Sequence, residues 1–493
     1  MESRFVKAIT VVNVLIMVLI GCAPATGSPG TPTAIDTNPP FPTAWPTQEQ
    51  ATDAPAPTDE TDEPTLEPTD IQPVGPPADV IFYNGVILTM LDSPERVEAL
   101  AIIGEKIVAV GSEAEILTMT NDATNLVDLE GRTLMPGFVD PHTHLFNDAG
   151  YMDTDLAGAQ QIALSNGITT LGDMFSPQDF VEQMRDFYES GDLIVRTSLY
   201  LTLTDNCGNP SGDWWLAYPP TREPGELLRI GGLKAFADGG TCGPIAVSEP
   251  ILPGYQAGEL FFTQEEMNAL FAQADQNGYQ LAVHALGDLA VEQVLHAIGT
   301  VNSDGQNSLR HRIEHNSIAQ PEVRPLYAQY DVVATLFGWQ SVCDYRDWAP
   351  LQRDLGEDLR GMLDDNPGVH FAWHGDDPWI GPISPLLELA SMVTRNEPDG
   401  QGGFCEPPEW MAANAITVEE GLEMMTTEAA YALFRENEVG SLAPGLYADV
   451  IILSGDPTRV EPMDLWNLDV LATMVGGQFV YCADEMGGLC TLQ

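Results

Sequence analysis

The chain has 493 residues and a formal net charge of −54, from 73 acidic and 19 basic side chains. This length can bury a large core and hold more than one folded unit, and so acidic a surface argues against nucleic-acid binding. Lysine occurs only at Lys7, Lys106 and Lys234. An acidic, lysine-poor surface is typical of proteins that face high salt, where screening weakens self-repulsion, so we expect salt tolerance.

The N-terminus has the pattern of a lipoprotein signal. Arg4 and Lys7 precede an apolar run over residues 8–20, which is too short for a stable membrane span and leads into Cys22. Acylation of Cys22 after cleavage would anchor the protein to the cell membrane. The alternatives are a plain cleaved signal and an uncleaved short anchor. Each of them places the rest of the chain outside the cytoplasm.

Residues 23–78 are dominated by proline, threonine and acidic residues, so they predict a disordered tether between the anchor and the folded part. Outside the cytoplasm the remaining cysteines can form disulfides. Many pairings are open to six cysteines, and only Cys482–Cys490, across a Gly-Gly turn, is locally favoured.

Both ends of the remaining chain are rich in short apolar strands. Residues 79–89 read as two strands around an Asn-Gly turn, and residues 99–110 repeat this hairpin pattern. Further strands are predicted at 448–453 and 471–481. Because the ends of a domain commonly lie close together, we predict one small β-sandwich built from residues 79–135 and 438–493.

The intervening residues 136–437 alternate short apolar strands with helical patterns, which predicts an α/β fold with a parallel sheet. Eight strands with crossover helices indicate a TIM-like (β/α)8 barrel, whose functional groups lie at the carboxyl ends of the strands. The strands are centred on residues 138–144, 169–174, 194–201, 233–236, 281–284, 310–315, 332–336 and 369–374.

Five of these eight strands carry groups that can bind a divalent ion or handle its protons. The first strand closes on His142 and His144, and two residues that are two apart on a strand point the same way, so both imidazoles can reach one ion. Such ligands suit zinc and related ions. The others are Lys234 in the fourth strand, His284 and His315 at the ends of the fifth and sixth, and Asp376 and Asp377 after the eighth.

The sequence resembles the amidohydrolase superfamily, and within it amidohydrolase family 3, the branch that contains N-substituted formamide deformylase. The resemblance runs from about residue 79 to residue 481. It is carried by seven stretches in order: 131–144 (GRTLMPGFVDPHTH), 167–170 (GITT), 233–239 (LKAFADG), 283–291 (VHALGDLAV), 312–315 (RIEH), 375–377 (GDD) and 440–449 (GSLAPGLYAD).

The resemblance implies a site with two divalent ions, expected to be zinc. His142 and His144 would bind one ion, His284 and His315 the other, and a carboxylated Lys234 would bridge them. The alternative for Lys234 is an ion pair with Asp238 or Glu265, although a buried ammonium group is costly.

The same resemblance implies that Asp377 is a metal ligand and the general base and acid. Asp376 stands where relatives usually have serine, and the sequence leaves its role open between ion ligand, support for His374 and no contact. Three residues that follow strand candidates, Asp173, Trp339 and Gln340, are expected to line the substrate pocket, and the irregular residues 203–215 could form a lid.

The predicted activity is hydrolysis of a non-peptide C–N bond, an amide or a cyclic amide of a small molecule, by metal-activated hydroxide. Two alternatives stay open: a one-ion deaminase of the same superfamily, and a non-catalytic, lipid-anchored solute-binding protein. The expected partners are a small-molecule substrate and, through the lipid anchor alone, the membrane. The sequence leaves open whether the chain forms a homo-oligomer.

Overall fold

The structure is a computed structural model that describes residues 75–91, 96–251, 254–345, 358–486, 488 and 490. The predicted lipoprotein signal, Cys22 and most of the predicted tether lie outside the described residues. Within the described ranges, no helix combines the length and the apolar character that a membrane crossing requires.

Seven short strands and one helix precede the barrel. They are β1 (Val80–Tyr83), β2 (Val86–Leu88), β3 (Arg96–Val97), β4 (Ala99–Ile103), β5 (Lys106–Gly111), α1 (Glu113–Ile116), β6 (Asn125–Asp128) and β7 (Thr133–Pro136). Strands β5, β4, β1 and β6 form a four-stranded sheet in that order, while β2, β3 and β7 belong to another sheet.

The hairpin predicted around the Asn-Gly turn is wrong, although both of its strands exist. Strand β1 pairs with β4 and β6, whereas β2 pairs with β3 and β7. At the turn, Asn84 adopts a left-handed conformation with φ 56°. A side chain on Gly85 would come within 2.6 Å of the Arg132 carbonyl oxygen. The chain thus packs closely on the turn before β7 and passes into the second sheet. The β4–β5 hairpin is confirmed.

The barrel strands and helices alternate along the middle of the chain. The strands are β8 (Phe138–Thr143), β9 (Ile168–Ser176), β10 (Arg196–Thr202), β11 (Leu228–Phe236), β12 (Gln280–Ala285), β13 (Arg312–His315), β14 (Val333–Phe337) and β15 (Phe371–His374). The helices are α2 (Leu156–Ser165), α3 (Gln178–Glu189), α4 (Gln264–Gln276), α5 (Asp288–Val301), α6 (Pro325–Gln329), α7 (Val342–Tyr345), α8 (Leu359–Asp365) and α9 (Pro385–Thr394).

These eight strands form one parallel sheet in sequential order, which confirms the predicted strands. Contacts between the first and the last strand nearly close the barrel. The Trp373 indole Nε1 donates to the Val139 carbonyl oxygen at 2.7 Å, and the Asp376 amide donates to that of His142 at 3.2 Å. The second bond brings the segment after β15 against the end of β8.

The chain then forms a short hairpin, three helices and three strands. They are β16 (Glu397–Pro398), β17 (Phe404–Cys405), α10 (Glu409–Ala412), α11 (Val418–Met424), α12 (Thr427–Ala432), β18 (Val450–Leu453), β19 (Val470–Val475) and β20 (Gln478–Cys482). Strands β20, β19, β18, β7, β2 and β3 make a six-stranded sheet in that order. Strands from both ends of the described chain therefore share one sheet, and β7 joins the two groups.

All six cysteines in the described residues are paired. The disulfides are Cys207–Cys242, Cys343–Cys405 and Cys482–Cys490. The pairing of Cys482 with Cys490 is as predicted. The Cys207–Cys242 disulfide connects the loop after β10 to the loop after β11, at the carboxyl ends of these strands.

Candidate metal centre

The centre begins with His142, whose tautomer is fixed by Glu314. The His142 Nδ1 lies 2.5 Å from Glu314 Oε2, and both side chains are fully buried. Burial raises the pKa of Glu314, but Arg312 and His142 outweigh this effect and hold the pKa below its usual range. An ionised carboxylate can only accept, so Nδ1 carries the hydrogen and Nε2 has a free lone pair.

The Nε2 atom of His142 meets His144 and Asp376 at one point. Asp376 Oδ1 lies 3.2 Å from His142 Nε2 and 3.3 Å from His144 Nε2. Asp376 Oδ1 and His142 Nε2 both present lone pairs, so neither atom can donate a hydrogen bond to the other. A divalent cation coordinated by all three would remove this mismatch, and oxygen and imidazole donors suit zinc and related ions. The predicted role of His142 and His144 fits this geometry.

A second group of potential ligands adjoins the first. One donor atom each from His142, His315 and His374 lie within 4.8 Å of one another. The His315 Nδ1 and the His374 Nε2 are 3.3 Å apart. His374 was not among the ligands predicted from the sequence. The available signal was its position, since His374 ends the eighth barrel strand and the functional groups of this fold lie at the carboxyl ends of the strands.

His284 lies beside this second group without belonging to it. Its ring centroid is 4.6 Å from that of His315. Burial, together with the nearby Lys234, lowers the pKa of His284 to about 3, so the imidazole is neutral. Its Nε2 lies 2.8 Å from the Gly239 carbonyl oxygen. A carbonyl only accepts, so Nε2 carries the hydrogen and the lone pair is on Nδ1, available to a cation.

Lys234 is fully buried next to His142. Its Nζ lies 3.4 Å from His142 Nε2. Burial lowers the pKa of Lys234 to about 8, so about a tenth of the amine is uncharged at pH 7. The alternative partner Asp238 is engaged elsewhere, since its carboxylate accepts from the amides of Ala246, Leu286 and Gly287.

The assignment of Asp377 needs a correction, because Asp376 and not Asp377 faces the histidines. Asp377 is fully buried, and among the described residues neither of its carboxylate oxygens has a hydrogen-bond partner. A side chain at Gly375 would lie 2.6 Å from Asp377 Oδ2 and 3.1 Å from Glu388 Oε1, so the two carboxyl groups adjoin. Burial, with Asp140 and Asp376 nearby, raises the pKa of Asp377 well above its usual range.

The reason lies in the backbone after β15. The Asp376 amide donates to the His142 carbonyl oxygen, and the His144 amide donates to the Asp377 carbonyl oxygen at 2.7 Å. These bonds hold the two aspartates along the end of β8. Asp376 has a left-handed φ of 54°, and its side chain faces the histidines, whereas that of Asp377 lies beside Glu388.

Two of the three predicted pocket residues make structural contacts instead. The buried Asp173 carboxylate accepts from the amides of Phe146 and Asn147 at 3.1 and 3.2 Å, and burial raises its pKa to about 7. Gln340 is buried and accepts from Arg395 at 2.8 Å. Trp339 packs edge-on against Trp466, with ring centroids 6.1 Å apart.

The segment predicted to form a lid, residues 203–215, is held in place by hydrogen bonds and a disulfide. The Asp205 carboxylate accepts from the amides of Cys207 and Asn209, which fixes a tight turn. The Cys207–Cys242 disulfide then joins this turn to the loop after β11. That second loop carries Gly239, the acceptor for His284.

The chain is similar to known amidohydrolases. The model of the amidohydrolase family matches residues 125–173 and 147–481. The putative amidohydrolase YtcJ of Bacillus subtilis is 29% identical over 274 residues, which cover 52% of this chain and 48% of the relative. The N-substituted formamide deformylase of Arthrobacter pascens is 31% identical over 264 residues, which cover 52% of this chain and 46% of that enzyme. The chain thus spans about half the length of these curated relatives.

The fold also occurs among solved structures. An uncharacterised metal-dependent hydrolase from Pyrococcus horikoshii superposes with a TM-score of 0.65 and 18% identity, over 78% of this chain and 99% of that one. An identity this low supports the architecture alone.

Proposed function

Because the chain belongs to the amidohydrolase family, whose model matches most of it, we propose that it hydrolyses a non-peptide C–N bond in an amide or a cyclic amide of a small molecule. The observation that carries the proposal is that His142 Nε2 and His144 Nε2 both lie within 3.3 Å of Asp376 Oδ1. This group lies at the carboxyl ends of the barrel strands, where (β/α) barrels carry their catalytic residues.

We propose two divalent ions, zinc being the expected metal. His142, His144 and Asp376 would hold one ion, and His315, together with His284 or His374, would hold the other. A carboxylated Lys234 would lie between them, supported by its position 3.4 Å from His142 Nε2. When bound, the ions polarise the substrate carbonyl and acidify water.

Asp376 is the residue that we propose to move the proton. Its side chain is 15% exposed, while that of His142 is fully buried, so Asp376 can reach both water and the histidines. It would accept a proton from the attacking water and return it to the leaving nitrogen, because an amine is a poor leaving group unless it is protonated. Glu314 supports this arrangement by orienting His142.

The test combines metal analysis with turnover. The purified protein is expected to contain up to two divalent ions per chain and to hydrolyse members of a panel of amides and cyclic amides. Chelation should abolish this activity, and adding zinc back should restore it. One ion with turnover unchanged in Lys234→Ala would favour the deaminase. Less than one ion and no hydrolysis would favour the solute-binding protein.

We further propose that the protein is an extracytoplasmic lipoprotein, whose partners are a small-molecule substrate and the membrane at its anchor. The three disulfides support this compartment, because such bonds persist in oxidising surroundings. A Cys22→Ser variant is expected to leave the membrane fraction. Retention of that variant in the membrane would overturn the anchor.

A further inference from the structure

The candidate metal centre is open to solvent on one side. His142, Lys234 and His374 are fully buried. By contrast, the side chains of His144 and Asp376 are 13% and 15% exposed, and that of Asp148 is 20% exposed. Asp148 Oδ2 lies 3.9 Å from His144 Nδ1. These three residues therefore form a solvent-facing part of the candidate metal centre.

Two aromatic side chains stand at this opening. Tyr151 is 71% exposed and Trp379 is 39% exposed, and their ring centroids are 4.4 Å apart with the planes at 67°. Tyr151 lies in a short 3-10 turn after β8, and Trp379 follows the Asp376–Asp377 segment. The loop after the first barrel strand and the loop after the last barrel strand thus meet at this aromatic pair.

Hydrogen bonds fix the pair to residues of the metal centre. The Trp379 indole Nε1 donates to Asp148 Oδ2 at 2.9 Å, and the Trp379 amide donates to the Asp376 carbonyl oxygen at 3.0 Å. The Asp148 amide donates to the His144 carbonyl oxygen at 2.8 Å, and the Tyr151 amide to that of Asp148 at 2.9 Å. The Trp379 ring is consequently held in place, and the Tyr151 backbone is fixed beside it, while both rings remain exposed. Rigid aromatic faces beside a few polar groups are characteristic of small-molecule sites.

We propose that Tyr151 and Trp379 form a binding subsite for an aromatic or apolar substituent of the substrate, carried next to the scissile C–N bond. This inference rests on the proposed function and narrows its substrate class to amides whose substituent has no negative charge. Asp148 and Asp376 flank the subsite and would repel an anionic group. An aromatic substituent can stack on one ring and meet the edge of the other.

The subsite is separate from the reacting bond, so it should contribute equally to the binding free energy of the substrate and to that of the transition state. Its loss should then raise KM and leave kcat nearly unchanged. With the metal-loaded protein, we would measure binding and turnover of acetanilide, N-methylacetamide and 4-acetamidobenzoate. Wild type should bind acetanilide at least ~10-fold more tightly than the other two, since aromatic stacking supplies roughly this factor.

The variants are Trp379→Ala, Tyr151→Ala and, as a matched control, Tyr188→Ala, which removes an aromatic residue that is 41% exposed on α3. The first two should each weaken acetanilide binding by about 10-fold, a larger loss than they cause for N-methylacetamide. Tyr188→Ala should bind like wild type. If Trp379→Ala fails to fold, Tyr151→Ala carries the test, because so exposed a side chain contributes little to the core.

Equal binding of acetanilide by wild type and Tyr151→Ala, or absence of binding by wild type, would overturn the subsite. Tighter binding of 4-acetamidobenzoate than of acetanilide would overturn the proposed selectivity against negative charge. If acetanilide binds as expected but no amide is hydrolysed, the subsite stands and the proposed hydrolysis fails. Calorimetric or ligand-observed NMR titration distinguishes these outcomes without relying on turnover.

Discussion

His142 shows how one buried side chain connects the parts of this centre. Its Nδ1 bonds to Glu314, and its Nε2 lies near Asp376 and Lys234. Glu314 in turn pairs with Arg312 and accepts from Thr335. The buried carboxylate therefore has partners on both oxygens, which stiffens the imidazole against rotation. Ring orientation at the candidate site is set by groups that no substrate would touch.

At this scale the two adjacent aspartates give the sharpest prediction. Asp376→Asn should lower kcat by about 100-fold or more, because it removes the group that exchanges protons. Asp377→Asn should leave kcat within about 10-fold of wild type, since a buried carboxyl group with a raised pKa resembles an amide in charge. Steady-state kinetics on the best substrate compare the two variants. Equal losses, or a larger loss in Asp377→Asn, would return the catalytic role to Asp377.

Lys234 gives a prediction about pH. Carboxylation requires the uncharged amine, and the pKa of Lys234 is lowered to about 8. The uncharged fraction rises as the pH increases and is nearly complete above about 9. At a fixed concentration of dissolved carbon dioxide, the rate at which metal-free, decarboxylated protein is reactivated in the presence of zinc should therefore increase with pH and level off above this pKa. Single-turnover activity after timed incubation measures the rate, and a rate independent of pH between 6 and about 9 would contradict carboxylation.

The limit of sequence reasoning at the residue scale is visible in the same segment. The spacing of His142 and His144 predicted their common direction, because they lie at the end of β8, and both imidazoles approach Asp376. Asp376 lies beyond β15 and has a left-handed φ of 54°. Alternation along a strand does not extend through such a residue without knowledge of the backbone. His374 was overlooked because it was considered only as a partner of Asp376.

Among the elements, strand positions were predictable and some strand partners were not. Barrel strands are buried on both faces, so they read as continuous apolar runs. Both strands predicted within residues 79–89 are present, but an Asn-Gly turn indicates only a reversal of the chain direction. It does not tell which neighbouring strand will pair. Close packing of Gly85 on the turn before β7 decided that the two strands separate.

The loop after β11 yields a prediction at the same scale. Its Gly239 carbonyl orients His284, and the Cys207–Cys242 disulfide anchors the loop. Replacing both cysteines with serine should weaken zinc binding by roughly 10-fold, as losses of groups that orient a ligand commonly do. Competition with a chromophoric chelator measures the affinity. The double variant of Cys482 and Cys490 is the control and should bind zinc like wild type; equal weakening in both would assign the effect to general loss of stability.

For the whole molecule, charge is the dominant property. The formal charge of −54 makes self-repulsion large at low ionic strength. Raising NaCl from about 0.01 M to about 0.15 M shortens the screening length from ~30 Å to ~8 Å. The thermal unfolding midpoint should rise over this range, as differential scanning calorimetry would record. A midpoint that falls with added salt would refute salt tolerance as the reason for the composition.

Strand β7 has a consequence for how the protein is made. It pairs on one side with β2 and on the other with β18, which begins at Val450. During synthesis or export the chain therefore emerges with β7 lacking one neighbour until the whole barrel has followed. An open strand edge is prone to join other chains. Pairing of β7 on its second side thus waits until β18 has emerged, and a product truncated before Val450 is expected to aggregate.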